Sequence, residues 1–430
     1  ELIKSVLEPS IKFPFKKYFI MFLLKRDYSN KNFIIKGFIT AILLSSFIYL
    51  SYFNIENKIL NTILGLLGIY FLLIIPKKGL FVSGFLTGIL WSYWMSVSLK
   101  YYDLVYLTPV VLIGIGIVFG IIFYFFALYD RLTFRILAIL IFSFIAPFGY
   151  NWVKPELIFV DSYIGILKQD LALILFAFYL IIKLKRFKIL GIIPILFTLN
   201  LPKGEYIQNP IAKIHMSKMM IKQDLKWQKE YQNDLNEKNF QEIINAIESK
   251  KDLVVLPETA FTSVLNRNAD LLERLKDLSN NIDIVVGALY VEGREIFNAS
   301  YHFSKGEFQI AKKVVLVPFG EEIPLPKFFV DLINNIFYNG ASDYSKASIP
   351  TDFIIKGEKF RNAICYEATT DKIFENLGDT KYMIAISNNA WFTPSIEPTL
   401  QHLLLKYYSR KYDITIFHVA NGSPNNIYRP

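Results

Sequence analysis

The chain has 430 residues, of which 53% are hydrophobic and 16% aromatic, with a formal net charge of +10 and one cysteine. Such a composition is too apolar for an ordinary soluble protein, and a single cysteine excludes an internal disulfide. The four histidines (His215, His302, His402, His418) are scattered, no zinc-type spacing, P-loop or G-x-G-x-x-G is present, and the cations cluster between apolar runs, which argues against a metal centre and against nucleic acid.

In chain order, Glu1 stands first in place of Met, which reads as a trimmed start, and no cleavable signal peptide is visible. Residues 1–32 form an N-terminal segment in which Ile11 to Leu24 is apolar but short and interrupted by Lys16 and Lys17. It reads as interfacial, with an ordinary short helix as the alternative. A membrane span needs about 20 apolar residues. Residues 33–200 offer seven candidates: Phe33–Phe53, Ile59–Ile75, Gly79–Val97, Leu104–Leu128, Leu132–Phe148, Tyr163–Ile182 and Phe187–Leu199, the fifth and last being short. A soluble helical bundle fails for the set, because nothing in the chain could cover that much apolar surface.

The loops carry the orientation. Lys12, Lys16, Lys17, Lys25, Arg26 and Lys31 precede the first span; Lys77 and Lys78 follow the second, Arg131 the fourth, and Lys183, Lys185, Arg186 and Lys188 the sixth. Basic loops stay in the cytoplasm. After seven spans, everything beyond Leu199 then lies on the far side, the periplasm of a two-membrane bacterium. An even count would reverse this.

Residues 201–430 have globular composition and alternate strand with helix. Ile211–Met216, Leu253–Leu256, Ile282–Ala288, Ser300–Phe303, Val314–Val317, Phe360–Ile364 and Tyr382–Ile386 read as strands. Phe240, Ile243, Ile244 and Ile247 mark an amphipathic helix, and Leu271–Leu278 and Gln401–Tyr412 read as helices. The fold class is an α-helical multi-span membrane domain followed by an α/β domain, with candidate catalytic residues at strand ends.

Those residues are Glu258 in L-P-E, Lys313 opening K-V-V-L-V-P-F-G-E, and Cys365 in I-C-Y-E, at similar spacings. Alone, each has a plain explanation: a surface carboxylate, an exposed lysine beside Lys312, a buried small hydrophobe. Together they suit acyl transfer. A thiol has a reference pKa of about 8.5 and needs a base or a cation to act as a nucleophile. Glu258 can take its proton and return it to a leaving group, and Lys313 can stabilise an oxyanion. An unpaired cysteine in an oxidising compartment is a candidate reactive thiol.

At these residues the chain resembles the apolipoprotein N-acyltransferases, the membrane branch of the nitrilase (carbon–nitrogen hydrolase) superfamily. L-P-E-T-A-F, K-V-V-L-V-P-F-G-E and C-Y-E resemble three signature blocks, S-N-N-A-W-F (Ser387 to Phe392) a fourth and L-K-W a fifth. The resemblance implies an αββα nitrilase-like domain with Cys365 as nucleophile, Glu258 as general base and Lys313 as oxyanion stabiliser. It implies supporting or substrate-binding roles for Glu321, Tyr366, Glu367, Trp227 on an arm, Asn388 and Trp391. It also implies a two-step reaction without cofactor or metal. Cys365 would take an acyl chain from a phospholipid, typically phosphatidylethanolamine, as a thioester. The α-amine of a diacylated lipoprotein would then receive it.

The pattern has departures. Asn389 stands where the fourth block leads one to expect an acid, and the helix after His402 diverges at Lys411 and Asp413. The family layout usually adds an eighth span; here only Ile416 to Ala420 is apolar before Pro430, so such a span is cut back or absent. A membrane-tethered amidase is the alternative enzyme. A transporter would need ionisable residues inside its spans, and Ile59–Ile75 and Leu104–Phe126 contain none.

Overall fold

The structure, a computed structural model, describes residues 32–184, 186–200, 209–318, 320–322 and 344–430. The interfacial reading of Ile11–Leu24 lies outside the described residues.

The first half is helical. Helices α1 (Phe33–Tyr52), α2 (Lys58–Ile74), α3 (Lys77–Ser92), α4 (Thr108–Phe125) and α5 (Leu132–Phe142) follow one another, with α3 continuing as a 3-10 helix through Tyr102. Among the described residues, four helical stretches are long and apolar enough to cross a membrane: Phe33–Tyr52, Lys77–Tyr102, Val105–Phe125 and Leu132–Gly149. Lys58–Ile74 and Lys188–Phe197 are shorter apolar helices. In a lipid phase, close approach of small residues holds helices together. A Cβ on Gly84 of α3 would lie 2.3 Å from the carbonyl oxygen of Phe119 in α4, so only glycine fits that seam.

Arg135 enters α5 as a buried cation. Its guanidinium donates to the carbonyls of Leu73 and Ile75 at 2.8 and 2.7 Å, capping the end of α2. A helix C-terminus leaves such acceptors open, and a cation suits them.

Tyr163–Ile182 is only partly helical. Pro155 starts a 3-10 turn (Pro155–Phe159), and α6 (Lys168–Lys183) begins where Asp170 accepts from the Leu167 N–H at 2.9 Å. The segment after α6 makes a 3-10 turn and the short helix α7 (Ile192–Phe197), then returns beside its start. Gly165 N–H donates to Thr198 and Asn200 N–H to Tyr163.

The described residues of the second half form two five-stranded sheets. The first is β1 (Ile214–Met216), β2 (Leu253–Val255), β3 (Asp283–Glu292), β4 (Glu295–Ser304) and β5 (Glu307–Lys312), in that order. The second runs β10 (Asn426–Tyr428), β9 (Thr415–Asn421), β8 (Tyr382–Asn388), β7 (Glu358–Ile364), β6 (Asp352–Ile355). Leu253, Val255 and Val285 of the first sheet pack on Phe360, Ile384, Ile386 and Phe417 of the second. The outer face of the first is covered by Phe240 and Ile243 of α9 (Gln232–Glu248) and Leu275 of α10 (Ala269–Leu278). Leu400, Leu403 and Leu404 of α11 (Glu397–Tyr412) cover the second sheet. This is an αββα sandwich.

One strand reading changes in this half. Val314–Val317 is not a strand: β5 ends at Lys312, and the apolar run beyond it is irregular, because carboxylates rather than a neighbouring strand take its N–H groups. The apolar stretch Ile416–Ala420 is the centre of β9, paired with β8 and β10.

The halves are docked by polar contacts. Lys406 pairs with Asp161, Arg410 donates to the Val160 carbonyl, and Tyr407 donates to Glu156, which pairs with Lys168 at 3.0 Å. Tyr101 donates to the Ala390 carbonyl at 3.1 Å.

Candidate active site

Glu258 sits on the turn after β2. Thr259 beside it adopts φ +46°, and β3 passes so closely that a Cβ on Gly287 would lie 2.7 Å from both Glu258 Cα and Thr259 N. Left-handed backbone at a non-glycine residue persists only where packing imposes it.

Lys313 follows β5 and is fully buried. Its Nζ lies 2.7 Å from Glu321 Oε2 and 3.9 Å from Glu258 Oε1. Asn298 of β4 joins the two carboxylates: its Nδ2 donates to Glu258 Oε1 at 2.7 Å and to Glu321 Oε1 at 3.2 Å. Burial works against the Lys313 charge, but Glu321, Glu258 and Cys365 more than offset it and hold the ammonium protonated. Glu321 also accepts from the Val317 N–H at 2.9 Å, closing the V-P-F-G-E turn on itself.

Cys365 begins the turn after β7, in a left-handed conformation of φ +55°. Burial pushes its thiol well up, Glu258 adds to this, and Lys313 opposes it. The resting group is a thiol beside a carboxylate and an ammonium, an arrangement that suits base-assisted attack.

Glu367 ties the two motifs together. Its carboxylate accepts from Val314 N–H at 2.7 Å, Val315 N–H at 3.2 Å and Ile364 N–H at 2.7 Å. One side chain therefore fixes the backbone just after Lys313 and just before Cys365. Burial pushes its pKa up to about 7, although Lys313 and the three N–H groups favour its charge. Tyr366 points the other way. Its hydroxyl donates to the Gly149 carbonyl at 3.0 Å and accepts from Asn151 N–H at 2.8 Å, anchoring the cysteine turn on the helical half.

The remaining candidates make other contacts. Trp227, at the end of α8 (Gln223–Lys226), is 44% exposed, which leaves its ring open to a ligand. Asn388 is buried, donating to Gln223 at 2.8 Å and accepting from Asn421 at 2.9 Å. Trp391 packs edge-on against Tyr101 and stacks on Tyr102. Asn389 donates to Gln401 and Ser423.

Sequence reasoning missed three residues. Asn298 looks like an ordinary polar position in a strand. Lys226 hides beside Trp227, its buried ammonium 3.0 Å from the Glu258 carbonyl oxygen. Glu397 reads as a helix-start acid, yet it is 1% exposed and its Oε2 has no hydrogen-bond partner. Burial and then Glu258 push its pKa up to about 8, and its charge acts on Cys365.

Residues 31–201 match the model of the apolipoprotein N-acyltransferase integral membrane domain. Apolipoprotein N-acyltransferase of Wolinella succinogenes is 42% identical across 91% of this chain and 94% of its own. That of Campylobacter jejuni is 36% identical across 98% of this chain and 95% of its own. The chain belongs to the apolipoprotein N-acyltransferase family. As a member, it is a multi-pass membrane acyltransferase. Among solved structures, a CN-hydrolase superfamily protein from Xanthomonas campestris matches 49% of this chain and 76% of its own, at 14% identity and a TM-score of 0.38.

Proposed function

We propose that the protein transfers a fatty acyl chain from a phospholipid to the N-terminal α-amine of a diacylated lipoprotein, through a thioester on Cys365. The observation that carries this reading is the buried cluster in which Lys313 and Glu258 act on one thiol, in a chain of this family.

In the first step Glu258 takes the thiol proton as sulfur attacks the ester carbonyl. Lys313 stabilises the oxyanion, a contribution of about 2.7–4 kcal/mol for a well-placed donor. Collapse forms the thioester, and Glu258 protonates the departing lysophospholipid alkoxide. In the second step the α-amine attacks the thioester, Glu258 accepts its proton, and the thiolate leaves and is reprotonated. An α-amine with pKa about 7.7–8.0 is partly neutral near pH 7. Phosphatidylethanolamine is the proposed donor. The catalytic half is assigned to the periplasmic side of the inner membrane on the basic-loop pattern and the seven candidate spans read in residues 33–200, of which four match helices of membrane-crossing length and apolarity among the described residues.

Purified protein given phosphatidylethanolamine and a diacylated lipopeptide should increase the peptide's mass by one acyl chain. Free fatty acid with no gain in peptide mass would instead identify an amidase-like hydrolase.

A further inference from the structure

Lys226 is a buried titratable group of the catalytic half that the chemistry above leaves unused. It closes α8 at 2% exposure, next to the open Trp227 ring. Its ammonium donates to the main-chain carbonyl of Glu258 at 3.0 Å. It forms no ion pair among the described residues, and the one charge that acts on it is Glu258. An ammonium buried in this way is costly, and burial pulls its pKa down to about 8 against the pull of Glu258.

The arm around Lys226 is fixed. Asn421 clasps Ile221, accepting from its N–H at 2.8 Å and donating to its carbonyl at 2.9 Å. Gln223 accepts from Asn388, and Gln232 donates to the Lys226 carbonyl at 3.1 Å. The carbonyl that Lys226 holds belongs to the peptide leading into the left-handed Thr259.

Several groups face Glu258 from the elements around it. They are Lys313 and Glu321 after β5, Cys365 after β7, Glu397 at the start of α11, and Tyr344 before β6. Lys313 is the other cation in that set, and it lies nearer Glu321 than Glu258. Without Lys226, one ammonium would serve two carboxylates.

We propose that Lys226 is a positioning residue for Glu258, fixing the Pro257–Glu258 turn through the Glu258 main-chain carbonyl and adding a second cation to the surroundings of that residue, so that the Trp227 arm forms part of the seat of the base. This rests on the assignment of Glu258 as general base.

The test is the pre-steady-state burst of p-nitrophenol from a p-nitrophenyl ester, followed against pH with the full chain in detergent micelles. Wild type is compared with Lys226→Met and Lys226→Gln, and thermal midpoints are measured alongside. In Lys226→Met the burst rate should fall about tenfold, and its acid limb should move up by about one pH unit. Its thermal midpoint should hold or rise, since a buried unpaired charge has gone. Lys226→Gln keeps a donor without the charge, so it should recover part of the rate while showing the same displaced limb. A wild-type rate, or an equal loss at every pH with the limb unmoved, would overturn the proposal. If Lys226→Met fails to fold, the limb of Lys226→Gln decides the matter. The burst reads acylation of the thiol whatever the natural donor. A wild-type enzyme that bursts but never acylates a lipopeptide would refute the proposed function and leave the role of Lys226 standing.

Discussion

Cys365 gains its character from its neighbours. Burial and Glu258 raise its pKa, while Lys313 lowers it. A raised pKa means less thiolate at neutral pH, so reactivity must come from base assistance rather than from a standing anion. Iodoacetamide should therefore alkylate Cys365 at pH 7 at least about tenfold more slowly than a small thiol of ordinary pKa. The rate should climb with pH beyond the usual thiol range. Alkylation as fast as the small thiol at pH 7 would mean a preformed thiolate. At this scale Glu258, Lys313 and Cys365 were legible because each stands in a motif at a strand end. Asn298 and Lys226 were not, because an asparagine in a strand or a lysine beside a tryptophan reveals its partner only when distant segments meet.

Elements matter by what they hold apart or together. The P-E turn is pressed against β3 at Gly287, where any side chain would collide with backbone rather than with a flexible tip. Gly287→Ala should displace the turn and cost about 1–3 kcal/mol of stability. Transfer activity should fall by more than that loss of folded protein explains, which a melting curve and an activity assay on the same sample would separate. Wild-type activity in that variant would show that the Glu258 turn tolerates movement. Most strands and helices were readable from period-two and 3.6-residue patterns. Val314–Val317 misled because four apolar residues resemble a buried strand. Its hydrogen-bond partners are the Glu367 and Glu321 carboxylates, and Glu367 lies about fifty residues away in sequence. The small edge strands β6 and β10 were too short to stand out.

For the whole molecule, the α/β half is seated on the helical half through charged and aromatic contacts. Tyr366, next to Cys365, is bonded to residues 149–151 of that seat. A lipid substrate and a part-buried thiol need such proximity, because an acyl chain pulled into water loses about 0.8 kcal/mol for each exposed CH2. The division into an apolar and a globular half was plain from composition; the docking between them was not, since it depends on pairs such as Lys406 with Asp161. The most direct measurement is incubation of purified protein with phosphatidylethanolamine labelled in its acyl chains, followed by hydroxylamine. Wild type should carry a label that hydroxylamine removes, and Cys365→Ala should carry none. Equal labelling of the two proteins would contradict a thioester on Cys365.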